Sequence, residues 1–186
     1  MSYVSRKNHF PIDLTSIPLM EFASSSSSFS SFLKSEPQFR YDVFINFWGE
    51  EIGRKLVSHL HSVLLQAQKE ENLQEGMELE EHMREIAASK IAIIVFSKSY
   101  TESTCCLLQL EKIIECYETF GQIVLPVFYH IDPLDVCQLK GDFGKALEEA
   151  AHQSYSGEQL EHALSRWTRA LTTAAGISGW NVRDFR

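Results

Sequence analysis

Cys105, Cys106, Cys116 and Cys137 are the side chains of this 186-residue chain best suited to metal or redox chemistry, and their spacing supports neither. None belongs to a Cys-x-x-Cys pair, and two adjacent cysteines cannot readily staple a loop, so the pattern reads as reduced intracellular thiols. The seven histidines are scattered. His59 and His61 lie two apart on an expected helix, face different ways and make a poor metal pair. No HExxH and no GxxxxGKS/T phosphate loop occurs, so neither a metal site nor a nucleoside-triphosphate motor is supported. Chemistry must be sought instead in three polar loops: Trp48-Gly49-Glu50, Ser97-Lys98-Ser99 and Tyr129-His130-Ile131-Asp132-Pro133.

What makes those loops the place to look is what precedes them. Val43 to Phe47, Ile91 to Phe96 and Ile123 to Phe128 are short apolar runs rich in β-branched and aromatic residues. Nearly continuous apolar runs of this length suit strands buried on both faces, as in a parallel sheet covered by helices. In such sheets the loops at the carboxyl ends of the strands form the ligand crevice. Helical spacing recurs between the runs: Ile52, Leu56, Leu60, Val63, Leu64 and Ala67; Leu79, Met83 and Ile86; Leu107, Leu110, Ile113, Ile114 and Tyr117; Phe143, Ala146, Leu147 and Ala150; and Leu160, Leu164, Trp167, Leu171 and Ala174. The alternation predicts an α/β, doubly wound fold. The Glu-rich run 70–85 reads as a solvated face, and Trp167 and Trp180 are expected to anchor the last helix and the terminus.

Composition sets limits. A formal net charge of −8 with no basic cluster argues against a nucleic-acid partner, and no stretch approaches the roughly 20 apolar residues of a membrane span. Residues 1–40, with serines at 24–28, 30 and 31, read as a disordered leader with nothing to pack. A chloroplast transit peptide is disfavoured by Asp13, Glu21 and Glu36 and by the presence of only Arg6 and Arg40 as arginines. The expected location is cytoplasmic, with the nucleus as an alternative.

Taken together, YDVFINFWGEE and VSHL at 41–60, IAIIVFSKSYTES, CCLLQLEKIIEC, GQIVLPVFYHIDPLDV, GDFGKAL and the terminal W..AL..AA..SGW resemble, in order, the plant-type Toll/interleukin-1 receptor (TIR) domain. The resemblance spans roughly 41–182, leaving 183–186 as a short tail. It implies a flavodoxin-like parallel sheet flanked by helices, assembly through TIR–TIR contacts and, in many members, cleavage of NAD. Ser58 and His59 match a position used in helix-mediated pairing. Trp48, Gly49, Cys105 and Gln109 match positions of the nucleotide pocket, with Trp48 expected to plug its mouth.

The departures from the family pattern carry the functional expectation. The resemblance puts the catalytic glutamate in a WCLxEL segment, which here is Cys105-Cys106-Leu107-Leu108-Gln109-Leu110. An amide keeps the shape and can bond a ribose hydroxyl, but it cannot stabilise an oxocarbenium ion or take a proton. Glu102, Glu111 and Glu115 are badly placed to substitute. The FRGEDTR pattern becomes Phe47-Trp48-Gly49-Glu50-Glu51-Ile52-Gly53, losing two arginines although Arg54 lies nearby. His61 to Asn72 is too short for the second strand, so that edge strand is expected to be missing and the Val43–Phe47 strand to lie unpaired at a sheet edge. The chain is therefore expected to be a non-catalytic module, TIR-only or truncated, that pairs with other TIR proteins and requires no cofactor. The alternative is an NAD glycohydrolase with NAD as substrate.

Overall fold

A computed structural model describes residues 2–6, 39–57 and 79–182. Its centre is a five-stranded sheet whose spatial order follows the chain: β1 (Ser2–Arg6), β2 (Tyr41–Phe47), β3 (Ser89–Phe96), β4 (Ile123–Tyr129) and β5 (Trp180–Val182). β2 to β5 are parallel, in registers such as Val43↔Ile91 and Ile91↔Ile123. The helical elements are α1 (Glu50–Ile52), continued as a π-turn over Gly53–Val57, then α2 (Leu79–Ala87), α3 (Thr104–Phe120), α4 (Pro133–Cys137), α5 (Gly141–Ser154) and α6 (Glu158–Gly176).

The inner strands β2 and β3 are covered on both faces, which is why they read as unbroken apolar runs. Phe44, Ala92, Ile94, Phe96, Val124 and Phe128 point into one core with Ile86 of α2, Leu107, Leu110, Ile113 and Ile114 of α3, and Trp167 and Leu171 of α6. Val43, Ile45, Phe47, Val95 and Val127 point the other way, against Ile52 and Leu56.

Local chemistry fixes the ends of α3. Ser103 caps its start by accepting from the Cys106 N–H at 3.2 Å. Gly121 stops it in a left-handed conformation, φ 68°, with its N–H reaching back to the Tyr117 carbonyl at 3.2 Å. At the far edge of the sheet Gly179 lets the chain approach β4, where a Cβ would collide with the Pro126 carbonyl oxygen.

Several expectations need correction. Residues 2–6, expected within a disordered leader, form β1, which pairs antiparallel with β2 in the register Ser2↔Asn46, Val4↔Phe44 and Arg6↔Tyr41. The edge of β2 is therefore not left unpaired, because backbone groups of the chain's own start satisfy it. The stretch expected to lack a strand, 61–72, lies outside the described residues, as do the serine tract, Ser58, His59 and 183–186. The Glu-rich run is not solvated throughout, since His82 and Glu85 of α2 are buried. Trp167 anchors α6 as expected, at 0% exposure, whereas Trp180 is 59% exposed on β5, where its backbone pairs opposite Val127 of β4. Asp132 starts α4 by accepting from the Leu134 N–H at 2.9 Å, with Pro133 in the first helical turn. Among the described residues no helix is long and apolar enough to cross a membrane.

Candidate functional site

The carboxyl end of β2 and the first turns of α3 bring most of the singled-out residues together. Trp48 and Gly49 follow β2 directly, and Cys105 and Gln109 lie one turn apart on α3. Cys106 ties the two elements by donating its thiol proton to the Phe47 carbonyl, Sγ to oxygen 3.3 Å. Trp48 is half-buried and packs against the main core. Gly49 has a φ of 102°, a conformation that favours glycine and swings the chain out of the sheet.

Gln109 is fully buried, and both ends of its amide are engaged. Oε1 accepts from Asn46 Nδ2 at 2.8 Å, while Nε2 donates to His82 Nδ1 at 3.1 Å and to Cys105 Sγ at 3.4 Å. Tyr100 extends the chain by donating its hydroxyl proton to Asn46 Oδ1. These bonds run in one consistent direction, from Tyr100 through Asn46 and Gln109 to His82, and they leave His82 Nδ1 as an acceptor on a neutral ring. Buried polar groups satisfied in this way act as a latch among β2, α2, α3 and the turn after β3.

Electrostatics point to neutrality throughout. Burial lowers the His82 pKa from its ordinary value. Burial pushes Tyr100 well above the usual phenol value and raises the thiols of Cys105, Cys106 and Cys116. None of these thiols is set up as a nucleophile, which needs the thiolate.

The acids dismissed from the sequence sit elsewhere. Glu111 faces α6 and pairs with Arg166 at 2.8 Å, Glu115 pairs with Lys112 at 2.9 Å, and Glu102 is exposed on the 3-10 turn Tyr100–Glu102. Arg54, the nearest replacement for the lost arginines, pairs with Glu50 at 2.9 Å on the surface. Glu85 went unnoticed in the sequence. It is the one buried carboxylate among the described residues, one turn after His82 on the same face of α2.

Sequence reasoning also missed Asn46, His82 and Tyr100. Asn46 did leave a signal, a lone amide inside an otherwise apolar strand. Among the described residues no group of three or more His, Cys, Asp and Glu could hold a metal ion. A surface cavity of about 300 Å³, lined by Leu139, Gly144, Lys145, Leu147, Leu164 and others, shares no residue with the latch.

Comparison with known proteins places this geometry. The model of the TIR domain matches residues 40–186. The chain belongs to the TIR-domain family. It is 37% identical over 169 residues to disease resistance protein RPV1 of Vitis rotundifolia, covering 88% of this chain and 11% of that protein. It is 38% identical over 151 residues to TMV resistance protein N of Nicotiana glutinosa, covering 78% of this chain and 13% of that one. The chain thus spans little more than a tenth of the length of these relatives. Among solved structures, the TIR domains of the activated Roq1 resistosome, which directly recognises the pathogen effector XopQ, superpose with a TM-score of 0.66 at 36% identity, covering 77% of this chain and 89% of that one. The parallel sheet with its surrounding helices is thereby a TIR fold, flavodoxin-like as the sequence predicted.

Proposed function

We propose that this TIR domain is a signalling and interaction module of plant innate immunity, pairing with other TIR domains without cleaving NAD. The observation that carries the catalytic half is Gln109. It is neutral, fully buried and bonded at both ends, at the position where the resemblance puts a catalytic carboxylate. Cleaving a glycosidic bond needs negative charge beside the developing oxocarbenium ion, and a fixed charge of this kind is typically worth about 10²–10³ in rate. The pairing half is supported by the likeness to resistance proteins and to TIR domains of an assembled resistosome.

The test is nicotinamide release from NAD by the purified protein beside a Gln109→Glu variant. Saturable release by the unaltered protein overturns the reading. For pairing, the domain is mixed with TIR domains of full-length receptors; absence of any complex, and no effect of His59→Ala, counts against it.

One observation favours a second reading, NAD nucleosidase activity. Glu85 is a buried carboxylate on the helix face that carries His82. If Glu85 did the chemistry, the unaltered protein would release nicotinamide and Glu85→Gln would abolish it.

A further inference from the structure

We propose that β1 is a cover over a self-pairing edge: Ser2–Arg6 holds, within one molecule, the antiparallel lane that β2 of a second copy takes when β1 leaves. The inference stands apart from the catalytic question, since it concerns the sheet edge and not the Gln109 latch.

The first support is orientation. Every other pairing in the sheet is parallel, yet β1 runs antiparallel to β2. The outer edge of β2 therefore accepts an antiparallel strand, over the stretch Tyr41 to Asn46. A two-fold axis normal to a sheet brings two copies of the same edge strand together antiparallel, which is the closed, self-complementary arrangement of a symmetric dimer. β1 thus satisfies the same backbone groups that a neighbouring β2 would satisfy.

The second support is that β2 lacks the features that protect an edge. It is seven residues long, contains no proline and carries one charge, Asp42, near its start. Long uncharged edges are templates for pairing with another chain, and natural sheets blunt them with charge, proline, bulges or a covering segment. Here the device is the covering segment, and its pairing ends in a register irregularity between Ser5 and Arg6.

The third is connectivity. Thirty-three residues separate Arg6 from Arg40, a length that reaches about 100 Å when extended. Among the described residues β1 has one strand neighbour, so removing it breaks a single ladder and leaves the four parallel strands paired with one another.

The test uses the full chain. In hydrogen exchange, amides of 2–6 and of 41–47 should be protected in the unaltered protein. At high dilution, where the variant is monomeric, a Val4→Pro, Ser5→Pro double variant should raise exchange in 41–47 at least tenfold while 91–96 and 123–129 hold. It should also shift the light-scattering mass from monomer to dimer at tens of micromolar, and excess synthetic peptide of residues 1–8 should restore the monomer. Unprotected amides at 2–6 in the unaltered protein overturn the proposal, as does a variant that stays monomeric or forms open aggregates. A lock decides the matter if the proline variant fails to fold. Ser5 and Val43 are directly opposite, and such pairs lie within disulfide reach. Oxidised Ser5→Cys, Val43→Cys protein should remain monomeric at concentrations where its reduced form begins to dimerise. Failure of that disulfide to form, or equal dimerisation of both forms, refutes the cover.

Discussion

Asn46 at the end of β2 and Gln109 in the second turn of α3 are joined by a buried 2.8 Å amide–amide hydrogen bond, 63 residues apart in the chain. Asn46 also accepts from Tyr100, so one side chain satisfies polar groups from two other elements. Replacing Asn46 by leucine keeps the bulk but orphans the Gln109 Oε1, and leaves the Tyr100 hydroxyl only its long 3.4 Å bond to the Cys106 carbonyl. Unsatisfied buried groups cost about 1–3 kcal/mol each. Asn46→Leu should therefore lower the unfolding free energy by about 1–3 kcal/mol, read from urea denaturation. A change below about 0.5 kcal/mol, the range of neutral surface substitutions, would show that the latch is not a stabilising element.

The two tryptophans near the end of the chain should behave oppositely. Trp167 is wholly buried between α6 and the main core and meets Tyr155 edge-on at 5.8 Å between centroids. Its truncation to alanine should cost about 3–5 kcal/mol. Trp180 is mostly exposed on β5, so Trp180→Ala should stay within about 0.5 kcal/mol. Thermal melts of the two variants, run side by side, check the pair.

Why one tryptophan is legible and the other is not bears on how far the sequence can be read. Trp167 sits in phase with Leu160, Leu164, Leu171 and Ala174, and helical periodicity alone turns it inward. Trp180 lies past the end of α6, where no periodicity exists to orient it. The same contrast explains the strands. β2, β3 and β4 are apolar on both faces and legible as runs, while β1 offers only Tyr3-Val4 flanked by serines, too short a signal against a serine-rich leader. Its pairing is non-local, with 40 or so residues between partners, and single-sequence patterns are blind to that. At the site, Gln109 was legible from the resemblance. His82 and Glu85 were hidden in a glutamate-rich stretch whose average polarity masked the buried face of a short helix.

The thiols offer a chemical check on burial. Cys106 and Cys116 are buried, while Cys105 and Cys137 are partly accessible, and burial raises the pKa values of Cys105, Cys106 and Cys116. In the native protein at neutral pH, a thiol reagent should modify Cys137 first and Cys106 and Cys116 only after denaturant is added, as mapped by peptide mass spectrometry. Rapid native labelling of Cys106 would contradict the packing of α3 on β2.

His82 should make the fold sensitive to mild acid. Its pKa is lowered by burial, so between the folded value and the unfolded value of about 6.5 the unfolded chain binds the extra proton. The stabilisation from keeping the ring neutral is fully present above about pH 6.5 and is lost as pH falls through the folded pKa. Protonation would also turn Nδ1 into a donor facing Gln109 Nε2, a donor against a donor. Melting temperatures from pH 8 to pH 5 should fall more steeply for the unaltered protein than for His82→Gln, and matching slopes would refute the assignment.

Restoring a carboxylate at position 109 should reverse that pH behaviour. In a Gln109→Glu variant the new carboxylate oxygens would still accept from Asn46, but the donor that meets His82 Nδ1 at 3.1 Å would be gone. A buried carboxylate is stabilised by a proton on its neighbour, so the imidazole becomes the group that carries it and its pKa moves upward. For a histidine raised above its unfolded value, the stabilisation is fully present below about pH 6.5 and is lost as pH rises through the folded pKa. The variant should therefore gain stability relative to the unaltered protein on mild acidification and lose it towards pH 8. An NMR titration of the His82 ring reads the shift directly. An unchanged His82 titration in a folded Gln109→Glu protein would mean that the two side chains are not coupled, and that a carboxylate can stand at position 109 without disturbing the latch.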